Sequence, residues 1–486
     1  AQDASAVLPR SPPHRSGHCL PPAAQAMPPA AKALPPSSLP AKLVGEFIGT
    51  YLLTLTFGCV ALSENTAWAG VSVASVLMVS MYALGGISGG NFNPAVSIAL
   101  GVCKACKGPG IDLKTMGLYI GVQIVAGILA AFSYGALFAA TFRLEPQGGA
   151  SMLQACFVEV LYTFVLCFVL LSVMVAKKNT PNTFYGIAVG SVVVAGAYGA
   201  GALSRGCFNP AVAIGVDIGG SGLGLLYCLH YTLAEVVGAL VAVGAFRFIR
   251  PEDFRKSGGL ASVVVSEFLG TFVLVLTVGL NVLEHSVSGA FSIAASLACM
   301  MYAVGSVSGG HFNCAVTLAV FASRRDFKLR PFRIAIYIAA QLLGAAAAAG
   351  CYVAATGRSF HLGPSAGTSL GAAAIAEVIF TFLLCYVYLA TSVSKTTKDP
   401  AVFPLAVGAC VAAGGNAVGA ISGAALNPAV SFGIALGHLF ADGSALALGV
   451  YTAAELIAGG LAAGAFLVTH VVDVQPAAAD KGDGQA

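Results

Sequence analysis

Charge is what this sequence has least of: 24 Lys and Arg with 20 Asp and Glu make only 9% of 486 residues, where an ordinary soluble domain carries about 25%. Such a chain cannot clothe a water-facing surface. With 57% hydrophobic residues and a mean hydropathy of +0.86, lipid is the solvent for most of it, which excludes a soluble enzyme and a disordered chain. A net charge of +4 is too small and dispersed for a nucleic-acid reader, so no nucleic-acid partner is expected. Paired cysteines are missing too: thirteen Cys stand singly in apolar stretches, as buried small hydrophobes do, which excludes a secreted disulfide scaffold. Cys103-x-x-Cys106 has no second Cys or His pair nearby, so neither a metal nor a cofactor is expected. No nucleophile, base or metal constellation points to an enzyme.

What the sequence has in excess is apolar runs of spanning length, about 20 residues each. They fall near 43–63, 67–88, 114–139, 152–176, 184–203 and 222–249, and again near 261–283, 288–308, 331–355, 369–393, 401–421 and 443–470, twelve spans in all. Many of the 59 Gly lie inside these runs, where small residues let membrane helices approach closely. Trp68, the only Trp, begins a span and reads as an interface anchor. Residues 1–40 are rich in Pro, Ala and Ser and read as a disordered tail, with an organelle targeting segment as the alternative. Residues 473–486 form a second polar tail.

Basic residues collect in alternate gaps: Lys104, Lys107, Lys114, Lys177, Lys178, Arg247, Arg250, Arg255 and Lys256, then Arg324, Arg325, Lys328, Arg330, Arg333, Lys395 and Lys398. The opposite gaps hold only Arg143, Arg205 and Arg358. Short cytoplasmic loops accumulate Lys and Arg, so both termini and the middle linker are expected in the cytosol.

Self-similarity appears at two levels. Gly45-Glu46-Phe47-Ile48-Gly49-Thr50 is echoed by Ser266-Glu267-Phe268-Leu269-Gly270-Thr271, Tyr119-x-x-x-Gln123 by Tyr337-x-x-x-Gln341, and Tyr231-x-x-x-Glu235 by Tyr451-x-x-x-Glu455, at offsets of 221, 218 and 220. The chain is thus a tandem duplication: 41–250 is one membrane unit, 251–259 a linker, and 260–472 the second unit. Each unit is itself a repeat. Phe92-Asn93-Pro94-Ala95-Val96 returns as Phe208-Asn209-Pro210-Ala211-Val212, and Asn313-Cys314-Ala315-Val316 as Asn427-Pro428-Ala429-Val430; Glu46 returns as Glu159, and Glu267 as Glu377. Three spans per repeat, an odd number, make successive repeats face opposite ways, which places a pathway between them.

After each Asn-Pro-Ala the apolar stretch runs for only about ten residues, too short to span. Asn is a strong N-cap and Pro suits the first helical turn, so each motif should open a half-helix. Two such half-helices would meet N-terminus to N-terminus at the midplane, where each end carries roughly half a positive charge. Their Asn amides can donate to a passing oxygen while cations and protons are repelled. Glu46, Glu159, Glu267 and Glu377 sit inside spans, which is costly unless they are paired; their expected role is to accept hydrogen bonds from N–H groups of the re-entrant loops.

These motifs, with Ile87-Ser88-Gly89-Gly90 and Val307-Ser308-Gly309-Gly310 before them, resemble the major intrinsic protein (aquaporin) family across nearly the whole region between the tails. The resemblance implies an all-α membrane fold of two tandem units. Each has six transmembrane helices, two re-entrant half-helices and its own pore, and the pores assemble in fours. Water-selective members carry Arg directly after the second Asn-Pro-Ala, within an aromatic/arginine filter. Here Val212 and Val430 stand there, and the remaining filter positions by motif spacing are Val73, Ala197 and Gly206, then Ile293, Gly415 and Ala424. Val after the motif resembles tonoplast intrinsic proteins and implies water together with urea, glycerol, ammonia or hydrogen peroxide. Ala213 and Ser431 replace the Asp usual in glycerol facilitators, so a dedicated glycerol channel is not expected.

Arg205, four residues before Asn209, reads as a solvated loop residue, with a vestibule position as the alternative. Cys314 replaces a Pro, but Asn313 should still cap its half-helix. Cys207 and Cys314 fall near the expected pores, either open to thiol reagents or buried and inert, and His311 stands on the inner side of its motif as a plain polar lining residue or a pH-sensitive one. The expected function is a passive channel for water and small neutral solutes in a vacuolar-type or plasma membrane. Two chains should pair into a four-pore pseudo-tetramer; the partners are lipid, solute and a second copy. The rival readings are a secondary transporter and a structural membrane protein with closed pores.

Overall fold

The computed structural model describes residues 37–220, 225–325, 329–439 and 446–471. Both expected tails, except residues 37–40, and Lys328 lie outside the described residues. The first unit contains α1 (Leu39–Leu62), α2 (Thr66–Ser88), α3 (Pro94–Ala105), α4 (Leu113–Phe138), α5 (Met152–Leu170), α6 (Tyr185–Ser204), α7 (Pro210–Gly219) and α8 (Leu225–Ile249). The second repeats the series as α9 (Leu260–Leu283), α10 (Gly289–Ser308), α11 (Cys314–Ala322), α12 (Pro331–Thr356), α13 (Leu370–Tyr388), α14 (Phe403–Ser422), α15 (Pro428–Leu439) and α16 (Leu446–Thr469). Twelve of these helices are long and apolar enough to cross a membrane. The other four are the short ones opened by Asn93, Asn209, Asn313 and Asn427.

Local chemistry sets the ends. Asn93 and Asn209 have extended backbones, and their side chains accept from the N–H of Ala95 and Ala211 at 2.8 and 3.0 Å. With Pro next in line, each is a strong helix start. Ser151 and Gln154 close a capping box at α5. Gly89, Gly309 and Gly423 end α2, α10 and α14 in the left-handed conformation, which turns the chain back into the bundle.

Within a unit the two halves pack alike: α1 lies along α4 as α5 lies along α8, and α9 along α12 as α13 along α16. The half-helices wedge between these pairs, and missing side chains let them in. A Cβ on Gly127 of α4 would stand 2.2 Å from the Ala211 carbonyl oxygen, and one on Gly215 of α7 would stand 2.5 Å from the Gly127 carbonyl oxygen. The helices therefore touch backbone to backbone.

The two units also pack on each other, α5 and α6 against α9 and α10. Tyr162 shares a hydrogen bond with Thr277 at 3.0 Å, and Ser292 donates to the Ala195 carbonyl at 2.9 Å. At the end of the bundle where α1 begins, here the near end, the chain crosses from α8 to α9 through a short 3-10 turn, Pro251–Phe254. The fully buried Arg250 donates to the Ala303 carbonyl and to Ser306, and Asn179 reaches the same stretch of α10. A substitution at the tightest crossing should be felt directly. Gly127→Val is expected to destabilise the chain by about 3 kcal/mol, read as a lowered unfolding midpoint in detergent, whereas the same change at Gly121, whose Cβ meets nothing within 4 Å, should leave it unmoved.

Candidate functional site

Four buried carboxylates hold the loops that lead into the half-helices, and they do so in the same way. Glu46 accepts from Ser88 at 2.6 Å and from the N–H groups of Asn91 and Phe92 at 3.1 and 2.7 Å. Glu159 accepts from Ser204, Cys207 N–H and Phe208 N–H at 2.6, 3.0 and 2.8 Å. Glu267 takes Ser308, His311 N–H and Phe312 N–H at 2.6, 3.1 and 2.8 Å, and Glu377 takes Ser422, Ala425 N–H and Leu426 N–H at 2.6, 3.1 and 2.7 Å. All four are fully buried, where an unshared carboxylate would be costly. A loop can leave helical geometry inside the bundle because its N–H groups are satisfied here.

Each loop also has a second support. Tyr119, Tyr231, Tyr337 and Tyr451 donate to the carbonyls of Ser88, Ser204, Ser308 and Ser422 at 2.7 to 3.2 Å. Gln123 and Gln341 brace Glu46 and Glu267 at 2.8 and 2.9 Å. In the inverted halves a carboxylate stands in the Gln position: Glu235 accepts from Asn209 N–H at 2.7 Å and Glu455 from Asn427 N–H at 3.0 Å. No role for these two was foreseen from the sequence. The signal was present, a carboxylate recurring in an apolar span beside the repeated tyrosine.

The half-helices of each unit meet at their N-termini, and the Asn amides bind them together. Asn93 donates to the Phe208 carbonyl at 2.7 Å and Asn209 to the Phe92 carbonyl at 2.9 Å; Asn313 and Asn427 reach Leu426 and Phe312 at 2.9 and 2.8 Å. One N–H of each amide is thus committed to the opposite loop, and each NH₂ has a second. Replacement of Pro by Cys314 leaves the junction intact: Asn313 still caps, accepting from Ala315 N–H at 2.8 Å.

Beside each junction lies a void. In unit two a single cavity of about 570 Å³ runs from His311 past Asn313 and Asn427 to His285 and His361, and all four positions expected to form the filter line it: Ile293, Gly415, Ala424 and Val430. In unit one the space is divided. A void of about 30 Å³ holds Asn93, Asn209, Val73, Gly206 and Val212, and a separate cavity of about 570 Å³ opens toward the far end, lined by Val73, Ala197 and Gly206 and also by Glu284, His285, Ser286 and Val287 of unit two. Ala197 thus faces the outer cavity and not the narrow void. The four loop-holding carboxylates lie on neither wall.

Arg205 takes the second of the two positions the sequence left open. Its guanidinium is not out in solvent but half-buried on the wall of the far cavity of unit one, 5.3 Å from the centre of the Phe142 ring. The ring offers a cation–π seat that a loop position alone does not reveal. His311 is buried, bonded to Thr317 at 3.1 Å and packed against Tyr337 and Tyr388. Cys207 lines the narrow void, whereas Cys314 is buried away from the cavity of its unit. Trp68 is 63% exposed at the start of α2, as an interface anchor is.

The sequence profile of the family described as Major intrinsic protein matches residues 36–198 and 255–466. The chain belongs to the major intrinsic protein family. It is 33% identical over 223 residues to a glycerol uptake facilitator protein-like 6 of Lactiplantibacillus plantarum, covering 44% of this chain and 99% of that one. It is 35% identical over 237 residues to a probable aquaporin TIP-type of Medicago truncatula (46% and 90%) and 32% identical over 224 residues to nodulin-26 of Glycine max (44% and 79%). Each relative is matched over less than half of this chain, as two fused family units require. For this major intrinsic protein, Glu159→Ala would strip the acceptor from three buried donors. Unsatisfied buried donors cost about 1–3 kcal/mol each, so thermal unfolding of the purified chain should show a loss on the order of 3 kcal/mol or more, and Glu159→Gln, which keeps one oxygen, a smaller one.

Proposed function

We propose that each unit is a passive pore for water and small neutral solutes, with protons and ions excluded. The observation that carries this reading is the cavity of unit two, which passes directly between the capped N-termini of α11 and α15 and is lined there by Asn313 and Asn427. Two facing helix N-termini raise the potential at that point, and the spare amide N–H groups can guide one oxygen at a time. A cation meets an electropositive barrier, while a hydroxylic or amide solute finds donors in an apolar wall. The solute range of the chain as a whole includes urea, glycerol, ammonia and hydrogen peroxide, because Val212 and Val430 leave neither filter the charged donor that an arginine after the second motif would add. The named relatives, a glycerol uptake facilitator and a TIP-type aquaporin, fit that range. A coupled transporter would need a chain of protonatable groups along the pathway; the loop-holding carboxylates are occupied with backbone donors, and the titratable group that lines the cavity beside Asn313, His311, is bonded to Thr317. The membrane is a vacuolar-type or plasma membrane, with the near end and its Lys and Arg in the cytosol.

Stopped-flow osmotic assays on proteoliposomes check this. Water and glycerol or urea flux well above bare lipid, linear in solute and indifferent to ion gradients, is expected. Flux that saturates at low solute or needs a proton gradient would refute the channel.

Two chains form the four-pore assembly in this reading. In the most apolar 18-residue stretch of each span, 78% of residues are buried in the α5 span and 67% in α6, against 33% in each of their counterparts, the α13 span and α14. Likewise α9 and α10 reach 72% and 61%, against 44% and 28% in α1 and α2. The face that α5 and α6 present to α9 and α10 inside the chain is therefore repeated, uncovered, on α13 and α14 and on α1 and α2. A second copy related by a twofold axis supplies both missing partners. Cross-linking in native membranes should trap pairs of chains; only single chains, or four per particle, would contradict it.

A further inference from the structure

The void beside the Asn junction is continuous in unit two and divided in unit one, and the residues that divide it point to a cause. This inference rests on the channel reading above. The narrow void and the far cavity of unit one share four lining residues, Phe57, Val73, Val193 and Gly206, which therefore form the wall between them. By the internal offsets their counterparts are Val278, Ile293, Val411 and Ala424, and all four line the single undivided cavity of unit two. At three of these positions unit two carries a side chain as large or larger: Ile for Val, Val for Val, Ala for Gly. The two enlargements would narrow pore two and the shared Val would leave it unchanged. Only Phe57 to Val278 runs the other way, and pore two is nevertheless the open one.

Phe57 is held in place by its neighbours. It is 8% exposed, and its ring lies 6.3 Å from that of Phe142. Phe142 is stacked on Tyr134 at 5.7 Å and covered by the Arg205 guanidinium at 5.3 Å. In unit two Phe360 keeps its contact with Tyr352 at 5.9 Å, but Val278 offers no ring and Gly423 no cation. The aromatic ring and the arginine are thus both restricted to pore one.

We propose that Phe57 is the size-determining residue of pore one. Pore one passes water and rejects three-carbon polyols, and pore two, with Val278, carries the polyol flux of the chain. A ring across a lumen sets a steric limit that a Val cannot, whatever the polarity of the walls.

The test is an exchange in the full chain, assayed in proteoliposomes for water and for glycerol: wild type, Phe57→Val, Val278→Phe and both together. Val278→Phe is expected to abolish most glycerol flux while keeping at least about half of the water flux, and Phe57→Val to raise glycerol flux about twofold by opening a second wide pore. The double exchange should return glycerol flux to near the wild-type level. Wild-type flux of both solutes with glycerol flux unmoved by either single change overturns the division between pores and leaves the channel reading standing. A wild-type chain that passes neither solute overturns both. If Val278→Phe loses water and glycerol together through misfolding, Phe57→Val decides alone: a glycerol gain supports the proposal, and no gain refutes it.

Discussion

A buried carboxylate that accepts from two successive loop N–H groups is the interaction on which this structure depends. A chain in lipid cannot leave helical geometry without stranding its backbone donors. Glu46, Glu159, Glu267 and Glu377 remove that prohibition at four places, each with a serine hydroxyl and two backbone N–H groups. Once the loop is satisfied it can turn back at midplane, and Asn can cap a half-helix there. The opposing half-helix can then be tied to it through an Asn side chain. The pore is what remains between the tied ends.

This division of labour explains why carboxylates in the spans need not imply proton transport. They are costly groups put to structural use, away from the lumen wall. The same logic extends to Glu235 and Glu455, which take the N–H of Asn209 and Asn427 and so fix the residue whose amide faces the solute path. In the non-inverted halves Gln123 and Gln341 occupy the corresponding place and brace the carboxylate instead. The two halves of a unit therefore reach one geometry by two different hydrogen-bond routes.

Most of the architecture was legible in the residues, because it is written as repetition. The expected span 331–355 emerges as Pro331–Thr356 and 152–176 as α5 with the π turn that closes it, Leu171–Val175. The role expected of Glu46 and its three counterparts followed from a charge recurring inside apolar spans. What could not be read is lateral geometry. Whether Phe57 on α1 meets the lumen depends on the rotation of that helix against α2 and α4, and no spacing rule along one helix reports it. Arg205 stayed open between loop and vestibule for a similar reason: its seat is a ring from a different loop, Phe142, which sequence proximity does not disclose. The four filter positions expected in unit two line one cavity, whereas in unit one Ala197 lines only the outer cavity and Val212 only the narrow void.

Hydrogen exchange at the loop amides measures the central interaction most directly. The N–H groups of Phe92, Phe208, Phe312 and Leu426 belong to no helix, yet each is bound to a buried carboxylate at 2.7 or 2.8 Å. Exchange as slow as in the middle of the spanning helices is the predicted result. Exchange as fast as in the exposed far-end turns, such as Gly148 and Gly149, would contradict it.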